Sequence, residues 1–267
     1  MVRQNGPKKV AIISGAARGI GRAVASELAG CGWGVVGIDI CRDIPEVPYS
    51  LATRQDLESL SKLDGVVTIE SDVRDPLACT QAVQLAESVG ELTAVIAAAG
   101  VMIGGNPAWL TSPELARTLF EVNYFGVTNL MGAALKSMIP ASQVLPGRPG
   151  RLIAISSAGA KRPLNLLSHY CATKAAVCAY MENLALDLAG TSITANTVSP
   201  GSTATPILEA SAKIYGLSSG EDFKIHHTTK RLISTREIAE SVLFLLSDAA
   251  SSITGSELLI DGGLRLS

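Results

Sequence analysis

Short apolar runs rich in β-branched residues alternate along the chain with stretches of helical periodicity. The apolar runs cover residues 9–14, 34–39, 65–70, 93–99, 150–156, 192–199 and 257–261. The helical stretches cover residues 19–31, 75–89, 112–138, 168–189 and 235–247. Uninterrupted apolar runs of this length indicate strands buried on both faces, and strands that alternate with helices indicate a parallel sheet. We therefore predict an α/β fold, a doubly wound parallel sheet of about seven strands with helices on both faces.

The domain organisation follows from the lack of any linker, repeat or low-complexity tract in the sequence. We predict a single domain over residues 1–267, a length that one large α/β domain can reach. The least regular segments are 41–64, which contains Pro45 and Pro48, and 202–233. Prolines favour extended backbone, and long irregular segments in compact domains often serve a function. We interpret these segments as loops or lids.

The composition limits the classes of partner. The chain is 47% hydrophobic and 17% charged, with a formal net charge of -2. Lysine and arginine form no cluster, so we expect no nucleic acid and no membrane as partner, but small molecules or copies of the chain. The cysteines lack metal-ligand spacing and indicate reduced thiols; they are Cys31, Cys41, Cys79, Cys171 and Cys178. No signal peptide or membrane span is evident, which predicts a cytoplasmic protein, and we expect no bound metal.

A glycine-rich turn, "SGAARGIG" at 14–21, follows the first predicted strand and begins the first predicted helix. Gly15, Gly19 and Gly21 would let the backbone approach a pyrophosphate, and a helix N-terminus offers free N–H groups with partial positive charge. The GxxxGxG spacing differs from the commoner GxGxxG fingerprint. The turn predicts a Rossmann-type dinucleotide site, the alternative being a glycine-rich turn without a ligand.

An acidic residue, Asp39, ends the second predicted strand. It lies about 20 residues beyond the glycine turn, where a carboxylate would bind the adenosine ribose hydroxyls and repel a 2′-phosphate. Arg18 and Arg42 argue for such a phosphate, because either could pair with it. We expect NAD rather than NADP, since a carboxylate at a strand end is harder to displace than a flexible arginine. An ordinary strand-end acid is the alternative.

Tyr170 and Lys174 stand at positions i and i+4 of the largely apolar segment "HYCATKAAVCAY". On a helix this spacing puts both side chains on one face. A cation held near a phenol favours the phenolate, lowers the pKa of the tyrosine and so makes an acid or base. The alternative is an amphipathic helix whose lysine extends to water.

Seven motifs follow one another in an order that is typical of one enzyme family. They are "SGAARGIG", "SDV", "AAAG", "EVNYFG", "ISSAG", "YCATK" and "SPGSTATP". Together they resemble the short-chain dehydrogenase/reductase family in its single-domain form, over nearly the whole chain. The resemblance implies an oxidoreductase that transfers a hydride between NAD and a secondary alcohol or ketone.

The resemblance implies a catalytic set of Asn123, Ser157, Tyr170 and Lys174. Tyr170 would donate and accept the proton, while Lys174 would lower its pKa and hold the nicotinamide ribose hydroxyls. Ser157 would bind the substrate oxygen, because it has the family's spacing from the tyrosine and its neighbour Ser156 does not. Asn123 would hold a water near the lysine, unless it only caps or kinks a helix.

The resemblance also implies a cofactor-binding set. It consists of Gly15, Arg18, Gly19, Ile20, Gly21, Asp39, Ile40, Asp72, Val73, Ala98, Ala99, Gly100, Tyr170, Lys174, Pro200, Gly201, Thr203 and Thr205. Asp72 and Val73 would bracket the adenine, and residues 98–100 would pass under the adenosine ribose. Thr203 and Thr205 would hold the nicotinamide carboxamide. Helix capping explains Asp72 as well, and turn chemistry explains the residues after 199.

Two departures from the family pattern stand out. The first is "AAAG", where the family writes NNAG, so the asparagine side chains that tie neighbouring strands are missing and we expect a weaker local sheet. The second is an insertion after Asp39, because "DICRDIPEVPYSLATRQDL" precedes a helix that looks shortened. This segment resembles the corresponding loop of actinobacterial short-chain dehydrogenases associated with the redox peptide mycofactocin.

That second resemblance implies a lid over the adenosine half of NAD. The NAD would not exchange, and mycofactocin would reoxidise it. The apolar residues of the segment would form the clasp of the lid, and they are Ile44, Val47, Tyr49 and Leu51. The alternative is a surface loop without a function in cofactor binding.

The substrate region is expected in segment 202–233 and in "MIGGNPAW" at 102–109. Apolar side chains there suit an apolar alcohol or ketone, although helix packing explains them equally well; they are Trp109, Ile207, Leu208, Ile214, Tyr215, Leu217 and Phe223. His226 and His227 fit lid residues better than metal ligands.

The two longest predicted helices carry apolar residues on more than one face. We expect some of these residues to contact another subunit; they include Leu130, Met131, Val177, Met181 and Leu184. Together with the family resemblance, they predict a homotetramer.

Other functions are compatible with parts of this pattern. An ordinary NADP-dependent ketone reductase would keep the whole catalytic set. A nucleotide-sensing Rossmann protein without catalysis would keep the glycine turn and lose Tyr170 or Lys174, both of which are present. A methyltransferase would need neither of them.

Overall fold

One parallel sheet organises the protein, whose computed structural model describes residues 8–144 and 149–266. The strands are β1 Lys9–Ser14, β2 Gly34–Asp39, β3 Val66–Glu70, β4 Glu91–Ala97, β5 Gly150–Ile155, β6 Ile193–Pro200 and β7 Glu257–Ile260. Their order is β3-β2-β1-β4-β5-β6-β7, with all neighbours parallel. The doubly wound α/β fold is confirmed. Residues 1–7, 145–148 and 267 of the predicted domain lie outside the described part.

The α-helices in the described part of the chain are α1 Gly19–Gly30, α2 Arg54–Leu60, α3 Pro76–Val89, α4 Pro113–Phe120, α5 Gly126–Val144, α6 Ser168–Asp187, α7 Pro206–Ile214 and α8 Thr235–Leu246. Two of them, α2 and α7, lie in segments 41–64 and 202–233, so each of these least regular segments contains one short helix. The start signal of α2 is a capping box in which Thr53 and Asp56 exchange hydrogen bonds.

The predicted helix at 112–138 is divided in the structure. A π-helical turn, Glu121–Phe125, joins α4 to α5. Such turns widen a helix by one residue and often occur at functional sites. Here the turn carries Asn123, and it brings this side chain into the interior of the domain, fully buried.

Each face of the sheet has its own core. Helices α3, α5 and α6 cover one face, and α1 and α8 cover the other. The residues expected to contact another subunit pack in the first core, so that assignment is wrong: Leu130, Met131, Val177, Met181 and Leu184 all face the chain's own sheet. The large apolar residues that are exposed in this layer of the described structure include Leu77, Phe125 and Leu186. No helix within residues 8–144 and 149–266 is long and apolar enough to cross a bilayer.

The carboxyl ends of the strands form one edge of the sheet. The order in which strands are added reverses between β1 and β4. This arrangement leaves a crevice in doubly wound sheets. Ser14, the last residue of β1, closes the base of the crevice, because its Oγ accepts hydrogen bonds from the N–H groups of Ala98 and Ala99, each at 3.1 Å. One hydroxyl thus ties β1 to the chain after β4, and the expected weakness of the sheet at "AAAG" stays a prediction.

Gly21→Ala is expected to destabilise the fold by about 1 to 3 kcal/mol, the usual cost of overpacking. A Cβ at this position would lie 2.2 Å from the carbonyl oxygen of Gly15, so backbone must shift on one side. Gly30→Ala in the same helix is the matched control, because a Cβ there has nothing within 4 Å. Urea denaturation measures both variants, and equal free energies of unfolding would contradict the close packing of the turn.

Candidate active site

A cavity of about 490 Å³ runs along the carboxyl edge of the sheet. All residues of the predicted cofactor-binding set line it, and so does Ser157. Asn123 is not part of the lining. The volume of the cavity falls in the range of small-molecule and cofactor sites. Segments far apart in sequence therefore meet at one place, as the motifs predict.

The glycine turn packs against the chain that follows β4. Gly15 has a φ of +66°, and a Cβ there would lie 2.8 Å from the Cα of Ala99. Gly19 has a φ of +60°, and a Cβ there would make only an ordinary contact with the Cγ2 of Thr205, at 3.6 Å. Left-handed backbone of this kind favours glycine. The turn thus presents bare backbone at the start of α1, a cradle that fits a pyrophosphate group.

Asp39 is held at the end of β2 by backbone donors. Its Oδ2 accepts a hydrogen bond from the N–H of Ala17 at 3.0 Å, and its Oδ1 accepts one from the N–H of Cys41 at 3.3 Å. Burial raises the pKa of this carboxyl, and the two backbone bonds oppose that effect. A carboxylate with this fixed orientation fits ribose hydroxyls and disfavours a phosphate.

The two arginines that could bind a 2′-phosphate are engaged elsewhere. Arg18 donates from Nη1 to the carbonyl oxygen of Ser50 at 2.7 Å. Arg42 contacts the Oδ2 of Asp72 at 3.3 Å. The electrostatics of this end of the cavity are therefore those of an NAD site rather than an NADP site.

Asp72 carries an ion pair that the sequence did not lead us to expect. Arg74 donates from Nη2 to Oδ2 of Asp72 at 2.7 Å and from Nε to both carboxylate oxygens. Burial favours a raised pKa for this carboxyl, but the hydrogen bonds and charge of Arg74 outweigh it and the pKa is lowered. Its suggested contact with an adenine amine remains a prediction. The sequence does contain a signal for this ion pair, because Arg74 follows Asp72 by two positions.

Tyr170 and Lys174 lie on one face of α6, as their spacing predicts. The Nζ of Lys174 lies 5.9 Å from the centre of the Tyr170 ring and donates to the carbonyl oxygen of Ile155 at 3.0 Å. The side chain of Ser157 lies close enough to the phenol to act on its pKa, and its Oγ accepts a hydrogen bond from the N–H of Gly159 at 3.0 Å. The three side chains of the predicted catalytic set that line the cavity are thus together.

The pKa values of this pair follow burial. Burial raises the pKa of Tyr170 to about 12, and the nearby hydroxyl of Ser157 only partly opposes this rise. Lys174 is only 5% exposed, and this burial lowers its pKa to about 8. We expected Lys174 to lower the pKa of Tyr170. With the protein groups alone the pKa of Tyr170 is raised instead, because desolvation favours the neutral forms of both side chains.

Asn123 joins the π-helical turn to the chain after β4. Its Oδ1 accepts from the N–H of Val101 at 2.8 Å, and its Nδ2 donates to the carbonyl of Val101 at 2.9 Å and to Oγ1 of Thr173 at 3.1 Å. A Cβ at Gly100 would lie 3.3 Å from both this Oδ1 and the Nζ of Lys174. Asn123 is therefore close to the lysine, and its suggested bound water remains a prediction.

The segment between β2 and α2, residues 41–53, is called the strap below. Its residues Ile44 and Val47 are buried in an apolar cluster with residues of α4 and of the chain after β4. Tyr49 extends further and accepts a hydrogen bond at Oη from the N–H of Met102 at 2.9 Å. Leu51 packs beside them and lines the cavity. The four residues predicted as a clasp are thus packed against the domain.

The far end of the cavity, beyond Ser157, is mostly apolar. Side chains from the chain before α6, from α7 and from the segment after it line this end, and they are Leu164, Leu167, Ile207, Leu208, Tyr215, Leu217 and Phe223. Tyr215 donates from Oη to the carbonyl of Asn165 at 2.6 Å, which fastens the end of α7 to the opposite wall. Trp109 is 82% exposed and Ile214 does not line the cavity, so their place in the substrate region is wrong.

The two neighbouring histidines have different environments. His226 lines the cavity. His227 is fully buried, with Nδ1 2.7 Å from the carbonyl oxygen of Arg231 and Nε2 accepting from the N–H of Ser202 at 3.2 Å. His227 thereby fixes the turn after β6. Within the described ranges, no three His, Cys, Asp or Glu side chains are grouped to hold a metal ion.

Comparison with known proteins agrees with this geometry. A family model described as enoyl-(acyl carrier protein) reductase matches residues 15–265. A (-)-trans-carveol dehydrogenase of Rhodococcus erythropolis is 30% identical over 97% of this chain and 98% of its own length. The chain belongs to the short-chain dehydrogenase/reductase family. The match spans the glycine turn, the catalytic set and the substrate end in a single alignment.

Further members of the family resemble the chain over almost its full length. The crystal structure of a carveol dehydrogenase from Mycobacterium avium in complex with NAD has a TM-score of 0.90 and 30% identity, and covers 97% of this chain and 98% of its own. A 2,3-dihydro-2,3-dihydroxybenzoate dehydrogenase of Bacillus subtilis is 32% identical over 97% of this chain and 96% of its own length. This short-chain dehydrogenase/reductase therefore shares one architecture with relatives of different substrates.

Lys174→Met is expected to raise the free energy of unfolding at pH 7 by about 1 to 3 kcal/mol. The upper value follows from a pKa lowered from 10.5 to about 8 at about 1.4 kcal/mol per unit, and the lower value allows for the donor that the Ile155 carbonyl loses. Because the folded pKa lies below the unfolded one, the charged lysine destabilises fully below about pH 8. Its cost then fades as pH rises toward 10.5, where the unfolded lysine also loses its proton.

Urea denaturation at pH 7 and near pH 10 measures this gain. Lys136→Met, at an exposed position of α5, is the control and should show no such change with pH. A stability gain for Lys174→Met that stays constant across this range would contradict a buried, destabilised ammonium.

Proposed function

We propose that this short-chain dehydrogenase/reductase transfers a hydride between NAD and a secondary alcohol or ketone. The observation that carries the proposal is the meeting of Ser157, Tyr170 and Lys174 in the cavity that also contains the glycine turn and Asp39. A dinucleotide cradle lies at one end, and a hydroxyl, a phenol and an ammonium lie at the other. The dehydrogenase names of the relatives and the NAD in the Mycobacterium avium structure support the same reaction.

The preference for NAD over NADP rests on Asp39. Its carboxylate is oriented by two backbone N–H groups, where it would accept hydrogen bonds from both ribose hydroxyls. Arg18 and Arg42 are occupied by Ser50 and Asp72. An NADP-dependent ketone reductase would have to displace both contacts and leave Asp39 beside a phosphate.

In the proposed reaction, Tyr170 takes the proton of the alcohol, and Ser157 holds the alcohol oxygen through a hydrogen bond. NAD, when bound, would supply the carbon that accepts the hydride and, in its oxidised form, a positive charge. Lys174 would hold the ribose hydroxyls of the cofactor and would add its own charge. Asn123 orients the chain beside the lysine for the onward passage of the proton. In the reverse direction Tyr170 gives the proton to a ketone.

The substrate of the proposed reaction is an apolar alcohol or ketone. The walls beyond Ser157 are formed by leucine, isoleucine and aromatic side chains. Segment 202–233, which contains α7, covers this end as the substrate lid, fastened through Tyr215 to Asn165. A buried apolar wall favours substrates that leave water readily.

The strap is part of the proposal, as a lid that retains NAD so that mycofactocin, an external redox carrier, reoxidises it in place. Its support is the burial of Ile44 and Val47 and two hydrogen bonds of the strap. Tyr49 is bonded to the chain after β4, and Ser50 is bonded to Arg18 of the glycine turn. Since β1 lies between β2 and β4 in the sheet, a segment that leaves β2 and contacts the chain after β4 must cross the crevice.

Assembly and location complete the proposal. The protein is a cytoplasmic homotetramer, in which the exposed apolar residues Phe125 and Leu186 meet another subunit. Exposed large apolar side chains on the outer surface of a helical layer are typical of such contacts. Light scattering reports the number of subunits.

Tyr170→Phe is expected to lower turnover of a secondary alcohol by about 10²- to 10⁴-fold, the usual contribution of a general acid or base. Bound NAD should be retained, because only one hydroxyl is removed and Lys174 still holds the ribose. Tyr180→Phe on the same helix is the matched control and should turn over like the wild type. Steady-state kinetics and the NAD content of each protein are measured, and near-normal turnover of Tyr170→Phe would refute the mechanism.

Bound NAD is expected to survive purification and to be found by mass analysis of the denatured protein. Replacing residues 44–51 with a short glycine and serine link should speed NAD release, since each 1.4 kcal/mol of lost closed-state stability is worth about tenfold in rate. Displacement of bound NAD by a labelled analogue measures release in both proteins. Exchange within one catalytic cycle in the unmodified protein would leave an ordinary NAD-dependent dehydrogenase and remove the case for mycofactocin.

A further inference from the structure

Two apolar clusters meet beside Tyr170. The first packs strap residues Ile44 and Val47 against α4 and the chain after β4. The second joins Met102, Leu167 and α7 at the substrate end. Among the described residues, the side chains that belong to both clusters are Tyr49 and Tyr170. The strap tyrosine and the catalytic tyrosine therefore share one packing site, although they come from distant parts of the chain.

Tyr49 also makes a directed contact at this site. The N–H of Met102 donates to its Oη at 2.9 Å. Met102 is 1% exposed and lines the cavity. A buried N–H needs a partner, and in the described structure the oxygen of Tyr49 is that partner. The phenol of the strap thus determines where the cavity wall beside Tyr170 lies.

The neighbouring residue fixes the strap on the other side of the crevice. Ser50 accepts at its carbonyl oxygen from Arg18 of the glycine turn at 2.7 Å. Adjacent strap residues are therefore bound to the two walls of the crevice, Ser50 to the glycine turn and Tyr49 to the chain after β4. A strap that served only to cover the adenosine half would not need a phenol that packs in the same clusters as Tyr170.

We propose that Tyr49 is a positioning residue for Tyr170, which holds Met102 and the catalytic ring in the arrangement that lets Ser157 bond the phenol. Closing the strap and completing the catalytic site are then one event. This inference rests on the proposed hydride transfer. It goes beyond retention of NAD, because it concerns the rate of the reaction step when NAD is already bound.

The test measures hydride transfer in a single turnover, with each protein loaded by saturating NAD. The substrate is the alcohol that the wild type oxidises fastest among carveol, cyclohexanol and 2-octanol. Tyr49→Phe keeps the ring and removes the acceptor, so the step should slow by about three- to tenfold, the range given by one lost hydrogen bond. Tyr49→Leu removes the ring as well and should slow it further. Tyr180→Phe is the matched control and should leave the rate unchanged.

Saturating NAD ensures that faster release of cofactor cannot imitate a slower reaction step. A substrate deuterated at its carbinol carbon should retain the full primary isotope effect in Tyr49→Phe, because hydride transfer itself is slowed. Equal single-turnover rates for Tyr49→Phe and wild type would overturn the inference and leave the proposed function intact. If the wild type oxidised none of the alcohols with NAD, the proposed function would fail and the inference with it.

Discussion

The buried ammonium of Lys174 is the constraint on which the candidate site depends. Removing a charge from water is costly unless fixed dipoles replace the water. The carbonyl of Ile155 at the end of β5 supplies one such dipole, and the π-helical turn brings the amide oxygen of Asn123 close by. Ser156 donates to the carbonyl of Lys174 at 2.9 Å, which fixes α6 against the sheet. The strand end, the distorted helix and the register of α6 all serve this one charge.

The same desolvation acts in opposite directions on the pKa values of the two partners. It raises the pKa of Tyr170 and lowers that of Lys174, so each group is shifted toward its neutral form, although Lys174 stays mostly charged at pH 7. Phenolate chemistry near neutral pH therefore needs more positive charge than Lys174 provides. In the proposed function the oxidised nicotinamide provides it, which would couple the acidity of Tyr170 to the presence of the cofactor that accepts the hydride.

The sequence predicted the fold well where periodicity is strong and failed where local signals compete. The strands were found because each is a continuous apolar run, and the site followed because the ends of parallel strands must share one edge. The split at the π-helical turn was missed, since apolar periodicity continues through Glu121–Phe125. The bond of Tyr49 to Met102 could not be anticipated, because it depends on how two distant loops lie in space. The pair of Asp72 with Arg74 was missed although the two residues are close in sequence. Leu130 and Met131 were assigned to an interface because sequence alone does not say which helical face meets the sheet.

The position of the strap bears on how an enzyme with retained NAD would complete its cycle. The strap crosses the crevice above the glycine turn and is bound to both walls, through Ser50 and Tyr49. For NAD to leave on the side of the strap, these bonds would have to break and Ile44 and Val47 would become exposed to water. The substrate end is bounded instead by α7 and by the chain before α6, joined through Tyr215 and Asn165. In the proposed scheme the alcohol and the redox carrier must then use this same end in turn, so the apolar wall that selects the substrate would also select the carrier.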